Sequence, residues 1–246
     1  MKLRLFVLVL IAIVTLPLLG QQATRNTDIS AIQDNMTYGE LSAKWFQWAF
    51  SLPSKHHPLW DTADCSTGQS GPVWFLGGKF CTTEGNCNGV PVTRSCAIPK
   101  NKALFFPVIN SDYSFIENDI SWSEDDMRTH VKQDMDTPMT LTATLDGRRL
   151  QLIRICTMGD KCLPVQSPLT PFILPGDNMI GAIPEYLYNN ISNGPIPDGA
   201  SSVMVTDGHY VLIPQISPGF HTIHFTANVP AWGFGLDITY NLLVLK

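Results

Sequence analysis

From Phe234 to Val244 every second residue is large and apolar. Phe234, Leu236, Ile238, Tyr240, Leu242 and Val244 alternate with Gly235, Asp237, Thr239 and Asn241. Successive side chains of an extended chain point to opposite sides, so a strict period of two buries one face of a strand and wets the other. The stretch before it repeats the pattern. His221, Ile223, Phe225, Ala227 and Val229 fall on one side, and Thr222, His224, Thr226 and Asn228 on the other. Such alternation is the mark of antiparallel sheet with one solvated face.

The rest of the chain supplies further strands. Leu141, Ala143 and Leu145 alternate up to Asp146-Gly147, a strong two-residue hairpin signal. The return strand starts with Leu150 and Leu152 and then shifts phase to Ile153 and Ile155, which a bulge or burial of both faces would explain. The segments 73–80 and 90–96 flank a small cysteine loop and read as a hairpin. Residues 102–109 are densely apolar and read as a buried strand. Val203 and Val205 lead into a second Asp-Gly pair, 207–208, and Tyr210 and Leu212 lead out. Residues 164–199 contain many prolines and read as a long loop covering one end.

Two helices interrupt this pattern. Thr37-Tyr38-Gly39-Glu40 is a capping box, in which the Thr hydroxyl and the Glu carboxylate satisfy each other's free backbone N–H groups. Leu41, Trp45, Trp48, Ala49 and Leu52 then share one helical face until Pro53. A shorter helix is expected over 123–135, with Met127, Val131 and Met135 inward. Glycine and proline, 18 of each, are spread along the chain and suit short strands with tight turns. The expected fold is mainly β: an antiparallel β-sandwich, jelly-roll or immunoglobulin-like, with an N-terminal amphipathic helix and one further short helix. Residues 21–246 are read as a single domain.

The chain opens Met1-Lys2-Leu3-Arg4, continues with an apolar run from Leu5 to Leu19 and reaches Gly20 before Gln21-Gln22. A basic start, an apolar run of this length and a small residue at its end make a secretory signal peptide over residues 1–20. A spanning helix needs about 20 apolar residues, and no later stretch reaches that length, so no transmembrane segment is expected after cleavage. Removing 1–20 takes away Lys2 and Arg4 and moves the formal charge from −5 to −7. That balance, with no Lys/Arg cluster, argues against nucleic acid as a partner. The expected location is periplasmic or extracellular.

Six cysteines follow the signal, and an even number in an exported chain reads as disulfides. Zinc would want C-x2-C pairs, whereas the close spacings here are both C-x5-C. Of the fifteen connectivities open to six cysteines, two short pairings are suggested by turns. Cys156 and Cys162 lie symmetrically around Gly159, and Cys81 and Cys87 bracket TTEGN. Those two leave Cys65 with Cys96.

Motifs for catalysis are weak. His221 and His224 point to opposite faces of a strand and cannot share one ion; a hydrogen-bonded core histidine is the favoured reading of His221. His56-His57, with Asp61 and Asp64 nearby, is a better metal candidate, but a solvated loop is favoured over it. Gly68-Gln69-Ser70-Gly71 lacks the glycine that a nucleophile elbow needs two residues after the serine, where Pro72 stands. Glu40, Asp61, Glu117 and Asp207 offer members for a carboxylate pair of the glycosidase type, although acids at caps and turns are ordinary. Neither a cofactor nor a metal is expected. Asn35 and Asn190 begin N-glycosylation patterns.

Tryptophan is the more suggestive feature: Trp45, Trp48, Trp60, Trp74, Trp122 and Trp232. Exposed indole faces beside carboxamides suit sugar rings. Trp45 and Trp48 lie on the helical face that must be buried, which leaves Trp60 and Trp232, both in loops, as the expected exposed pair.

Tyr38-Gly39-Glu40 followed by Ser42-Ala43-Lys44-Trp45-Phe46-Gln47-Trp48-Ala49 resembles the opening "YGEWSARWWQW" of a family of exported, uncharacterised, mainly bacterial proteins. The likeness continues through Cys65, the GQSGPVWFL segment from Gly68 to Leu76, Arg94, Cys96, the 102–107 run with Asn110, Asp207-Gly208 and the GFHTIHF strand from Gly219 to Phe225. This sequence departs from that pattern at Phe46, where the family usually has a second tryptophan, and in the loop carrying Cys81 and Cys87. That departure supports the pairing of Cys65 with Cys96. The resemblance implies no activity, but it makes Glu40, Gln69, Asn110 and His221 polar positions of interest. With Trp60 and Trp232 they form the candidate binding set.

The leading expectation is an exported, non-catalytic binding or surface-associated domain for an extracellular ligand such as a glycan. The alternatives are a carboxylate-dependent hydrolase and a structural envelope or matrix protein.

Overall fold

The computed structural model describes residues 36–60, 64–80, 88–116, 121–153, 166–180 and 199–246. Residues 1–20, the Cys81–Cys87 and Cys156–Cys162 pairings, Asn35, Asn190, Asp61 and Glu117 lie outside the described residues. Along the chain the elements are α1 (Tyr38–Phe50), β1 (Val73–Phe75), β2 (Asn88–Ile98), β3 (Ala103–Ser114), α2 (Glu124–Asp136), β4 (Thr140–Leu145), β5 (Arg148–Arg149), β6 (Thr170–Ile173), β7 (Ser201–Ile213), β8 (Gly219–Val229) and β9 (Phe234–Val244).

The C-terminal alternation becomes an antiparallel pair over its whole length, with Gly219 opposite Val244 and Val229 opposite Phe234. Around it the chain builds two sheets, one in the order β2-β9-β8-β4-β5 and the other in the order β1-β3-β7-β6. Their facing sides share one core. Ile98, Leu104, Phe106, Val108, Val211, Ile223, Phe225, Ile238 and Leu242 all belong to it. The β-sandwich is therefore present, and each of its sheets is mixed: β1 runs parallel to β3, and β2 parallel to β9.

A second core lies on the outer side of the four-stranded sheet. There Leu41, Trp45, Phe46, Ala49 and Phe50 of α1 meet Ala103, Phe105, Met204, Tyr210 and Leu212. Strands β3 and β7 are thus buried on both faces, the dense apolar run having predicted as much for β3. Both helices begin as read, with capping boxes formed by Thr37 and Glu40 and by Ser123 and Asp126. Met127, Val131 and Met135 are the buried residues of α2.

Several local readings give way to tertiary pairing. Segments 73–80 and 90–96 form no hairpin: β1 goes to β3, and β2 crosses to β9, where Val92, Cys96 and Ile98 enter the inter-sheet core. Asp207-Gly208 is no turn, because β7 runs straight through it. Val205 and Val211 face one side of β7 while Met204, Tyr210 and Leu212 face the other, so burial of both faces produces the change of apolar phase. Gly208 is required by proximity: a Cβ there would lie 2.7 Å from both Asn110 Cβ and Tyr210 Cζ. Opposite it, β3 carries a bulge between Pro107 and Ile109, a place in a buried strand where a proline without an N–H is tolerated.

Asp146 and Gly147, with φ of 51° and 76°, form the expected hairpin turn between β4 and β5. The return strand is short. Leu150 still donates to the Ala143 carbonyl, but Ile153 pairs with Tyr210 in the other sheet. Changing sheets is what shifts the apolar phase after Leu152. The proline-rich stretch, read as loop, contains β6 at the edge of the four-stranded sheet, where Pro171 is admissible.

The disulfide joins Cys65, ahead of β1, to Cys96 on the inner side of β2, and both are buried. Among the described residues no helix is long and apolar enough to cross a membrane.

Three outcomes test this packing. Gly208→Ala forces Asn110 and Tyr210 apart and is expected to destabilise the fold by about 1–3 kcal/mol, read as a lower urea midpoint. Peptide mapping without reductant should recover Cys65 linked to Cys96. Because that bridge spans 31 residues of sequence, its removal in Cys65→Ala/Cys96→Ala is expected to cost about 3–4 kcal/mol.

Candidate functional site

The six candidate residues do not converge. Glu40 Oε2 accepts from the Thr37 N–H at 2.6 Å and from the Thr37 hydroxyl at 2.9 Å. These bonds hold its carboxyl below the usual carboxylate range, the wrong direction for a general acid. Gln69 is a loop staple: Nε2 donates to the carbonyls of Cys65 and Phe75, and Oε1 accepts from the Phe75 N–H. His221 sits at the end of β8, where Nδ1 meets Asp146 Oδ2 at 2.8 Å and Nε2 meets the Ser217 carbonyl at 2.9 Å. The Ser217 hydroxyl, at 3.3 Å from the same Nε2, completes an arrangement that resembles a hydrolytic triad. The Ser217 carbonyl lies closer to Nε2 than the hydroxyl does, and the group acts as a corner clamp that ties the Asp146 turn and the Ser217 segment to the start of β8.

The tryptophans divide. Trp45, Trp48 and Trp74 are buried, with Trp45 Nε1 donating to the Leu76 carbonyl and Trp48 Nε1 to that of Thr67. Trp122 stacks on His130 at 4.3 Å. Trp60 is half-buried, donates to the Ser54 carbonyl and packs edge-on against Phe80 at 5.9 Å. Trp232, 44% exposed in the β8–β9 connection, presents the open indole.

Asn110 stands apart because it lines a cavity of about 280 Å³. One wall is α1, through Trp45, Phe46, Ala49 and Phe50; another is β3 beyond its bulge, from Val108 to Asp112; Phe234 and Leu236 of β9 close a third. The floor is the segment 78–80, which Arg94 fixes. This guanidinium, only 4% exposed, donates to the carbonyls of Leu59, Gly77 and Gly78 and to the Tyr240 hydroxyl, which itself donates to the Gly77 carbonyl. His57 ties the chain after α1 to the helix: Nε2 donates to the Ala49 carbonyl and Nδ1 accepts from the Leu59 N–H. Both ring nitrogens are thereby engaged, so the His56-His57 pair is no metal site. No cluster of three potential metal ligands occurs among the described residues.

Next to the cavity a polar island is buried beneath α1. Ser42 Oγ lies 2.5 Å from both Thr206 Oγ1 and Tyr210 Oη. Tyr210 stacks flat on Phe105 at 4.9 Å, and burial pushes its hydroxyl far above the ordinary phenol range. The Asn110 amide Nδ2 is buried with no hydrogen-bond partner among the described residues. Sequence reading reached Asn110 through the resemblance, but Ser42, Tyr210 and Arg94 carry no local signal for their roles.

On its other flank α1 borders a more open cleft of about 370 Å³, rimmed by Lys44, Gln47, Ser51 and the Gly68–Pro72 loop. None of the six candidates lines it.

The fold and the cavity define a class: a β-sandwich with a helix-capped outer core and a small aromatic-walled cavity beneath the helix. Comparison with protein-family models, with curated proteins and with solved structures finds no match to any of them. The resemblance in the sequence therefore stands without a family assignment.

His57 provides a pH test. Burial, reinforced by the charge of Arg94, lowers its affinity for a proton below that of an ordinary histidine. A lowered folded-state value means the stabilisation is complete above the unfolded value of about 6.5 and fades as pH falls through the depressed one. The wild type should lose stability between pH 7.5 and pH 5. His57→Gln should be weaker at pH 7.5 but lose less over that interval, read from urea midpoints at each pH.

Proposed function

We propose that this chain is an exported, non-catalytic binding domain that holds a small, largely apolar molecule in the cavity between α1, β3 and β9. One observation carries the reading. The buried Nδ2 of Asn110 has no acceptor among the described residues, and Asn110 lines an aromatic-walled cavity. Buried polar atoms are nearly always hydrogen-bonded, so such a donor marks a place where an outside group completes the bond. Ligand sites share this composition, mostly apolar walls with few directed polar groups, and span about 300–1,000 Å³. A cavity of about 280 Å³ suits one ring or a short branched chain with a single acceptor for Asn110. Export is supported by the buried Cys65–Cys96 bridge, since disulfides persist in oxidising compartments.

The test is a thermal-shift and ligand-observed NMR screen of the oxidised protein with single-ring amides, phenols, indoles and short-chain alcohols. At 100 times its dissociation constant a true ligand adds about 2.7 kcal/mol. In a domain of this size that moves the midpoint by several degrees, at roughly 2–4 °C per kcal/mol. Asn110→Leu should weaken the best ligand about tenfold while leaving the melting cooperative. If none of the four classes binds, or Asn110→Leu binds equally well, the cavity is not the functional site.

A further inference from the structure

The outer face of the five-stranded sheet is a second and independent surface. Its outward side chains are exposed or half-exposed along β2, β9, β8 and β4. The register sets them in rows across the strands. Thr93, Thr239, His224 and Thr144 form one row, and Asp237, Thr226 and Thr142 form the next. Rows of this kind repeat at about 4.8 Å from strand to strand and about 7 Å along each strand.

What the face lacks is informative. On β2, β4, β8 and β9 no lysine, arginine or glutamate occupies an outward position from 93 to 97, 140 to 144, 220 to 228 or 235 to 243, and the row is continued at the β5 edge by Arg149, the partner of Thr144. The ionisable side chains at those outward positions, His224 and Asp237, are bonded to each other at 2.9 Å. Exposed sheet faces ordinarily carry long charged side chains. Here the surface is mainly hydroxyl and amide, with Thr142 and Thr226 linked at 2.7 Å and Leu243 exposed at one end. Away from the β5 edge, phosphates and acidic polymers find no lysine or arginine on it. A protein partner finds no aromatic or aliphatic anchor at its centre. At one end of β8 the ring of Phe220 is 85% exposed on the same side as Thr222 and Thr226.

We propose that this face binds an extended neutral polysaccharide, whose hydroxyls bond the threonine rows while a sugar ring stacks on Phe220. An uncharged, hydroxyl-bearing chain matches the four strands β2, β9, β8 and β4 in their lack of long charged side chains and in hydrogen-bonding character. Aromatic stacking supplies the apolar contact that hydroxyl pairing in water lacks. From Phe220 to Asn228 the face is about 26 Å long, with room for several rings.

The test is affinity electrophoresis of the full chain through gels containing hydroxyethyl cellulose, xyloglucan, galactomannan or a soluble β-1,3-glucan, with polygalacturonate as the charged control. The expected result is retardation by at least one neutral polymer and none by polygalacturonate. Phe220→Ala should weaken it about tenfold, and Thr239→Arg, placing a long charge in the central row, should abolish it. Thr93→Arg, at an exposed position in the same row, provides the equivalent block if Thr239→Arg melts early. Asn110→Leu should bind as wild type, which separates this surface from the cavity. Passage unretarded through all four neutral gels overturns the proposal, as does retardation that the Phe220 and threonine variants leave unchanged. Retention confined to polygalacturonate also overturns it. So does a dimer in sedimentation that Thr239→Arg dissolves without any effect of polysaccharide, since the face would then belong to a second copy.

Discussion

Strands β3 and β7 have no wet face, and the rest of the molecule is arranged around that fact. Leu104, Phe106 and Val211 face the other sheet, while Phe105, Tyr210 and Leu212 face away from it. An isolated sandwich would leave this second apolar surface in water, at a cost of about 25 cal/mol for each Å². Helix α1 removes the exposure with a face made of Leu41, Trp45, Phe46, Ala49 and Phe50. It is therefore a structural layer in its own right, and the chain that follows it must be fixed so that the layer stays in place. The His57 bond to the Ala49 carbonyl, the Gln69 staple and the Cys65–Cys96 bridge all act on that following segment.

Covering a strand on both sides also traps polar groups, and their treatment separates structure from candidate function. Ser42, Thr206 and Tyr210 bond one another, and His57 gives each ring nitrogen one backbone partner. Arg94 enters the interior and finds carbonyls and the face of Tyr240, 5.5 Å from its guanidinium carbon. Such arrangements meet the desolvation cost of burial without an ion pair. A few atoms escape this treatment: Trp74 Nε1, Arg94 Nε and Asn110 Nδ2 are buried with no hydrogen-bond partner among the described residues. Of these three residues, Asn110 lines the cavity. An unmet donor inside packed protein costs stability; the same donor beside free volume can be met by a ligand.

The parts of the fold that were legible in the sequence are those fixed by local periodicity and local capping. Strands β8 and β9, the Asp146-Gly147 turn and both capping boxes depend on residues close together in the chain. Partner choice was not legible. Segments 73–80 and 90–96 look like neighbours because they flank a short loop, yet the inter-sheet core takes Val92 and Ile98 to β9. Asp207-Gly208 has the composition of a turn, but its glycine answers the bulk of Asn110 and Tyr210 across the sheet. At the candidate site the same boundary holds. Glu40 declared its capping role, whereas Arg94 and Tyr210 meet their partners across 17 and 168 residues of sequence.

Strand β9 shows how the two proposed surfaces coexist in one sandwich. Its inward residues Phe234 and Leu236 close the cavity, while Asp237 and Thr239 stand on the outer face. A period of two lets one strand contribute to both surfaces without any side chain belonging to both. Arg94 and Thr93 repeat the division on β2, one fixing the cavity floor and the other standing in the hydroxyl row. The long charged side chain turns inward there and the short hydroxyl turns outward, the reverse of what solvation alone would select. On β2 the long charge anchors the interior and the open face keeps the hydroxyl. That inversion is difficult to attribute to folding stability, because a threonine inside and an arginine in water would avoid the burial of a cation. It is intelligible if the middle of the outer face has to stay free of long cationic side chains for what lies against it.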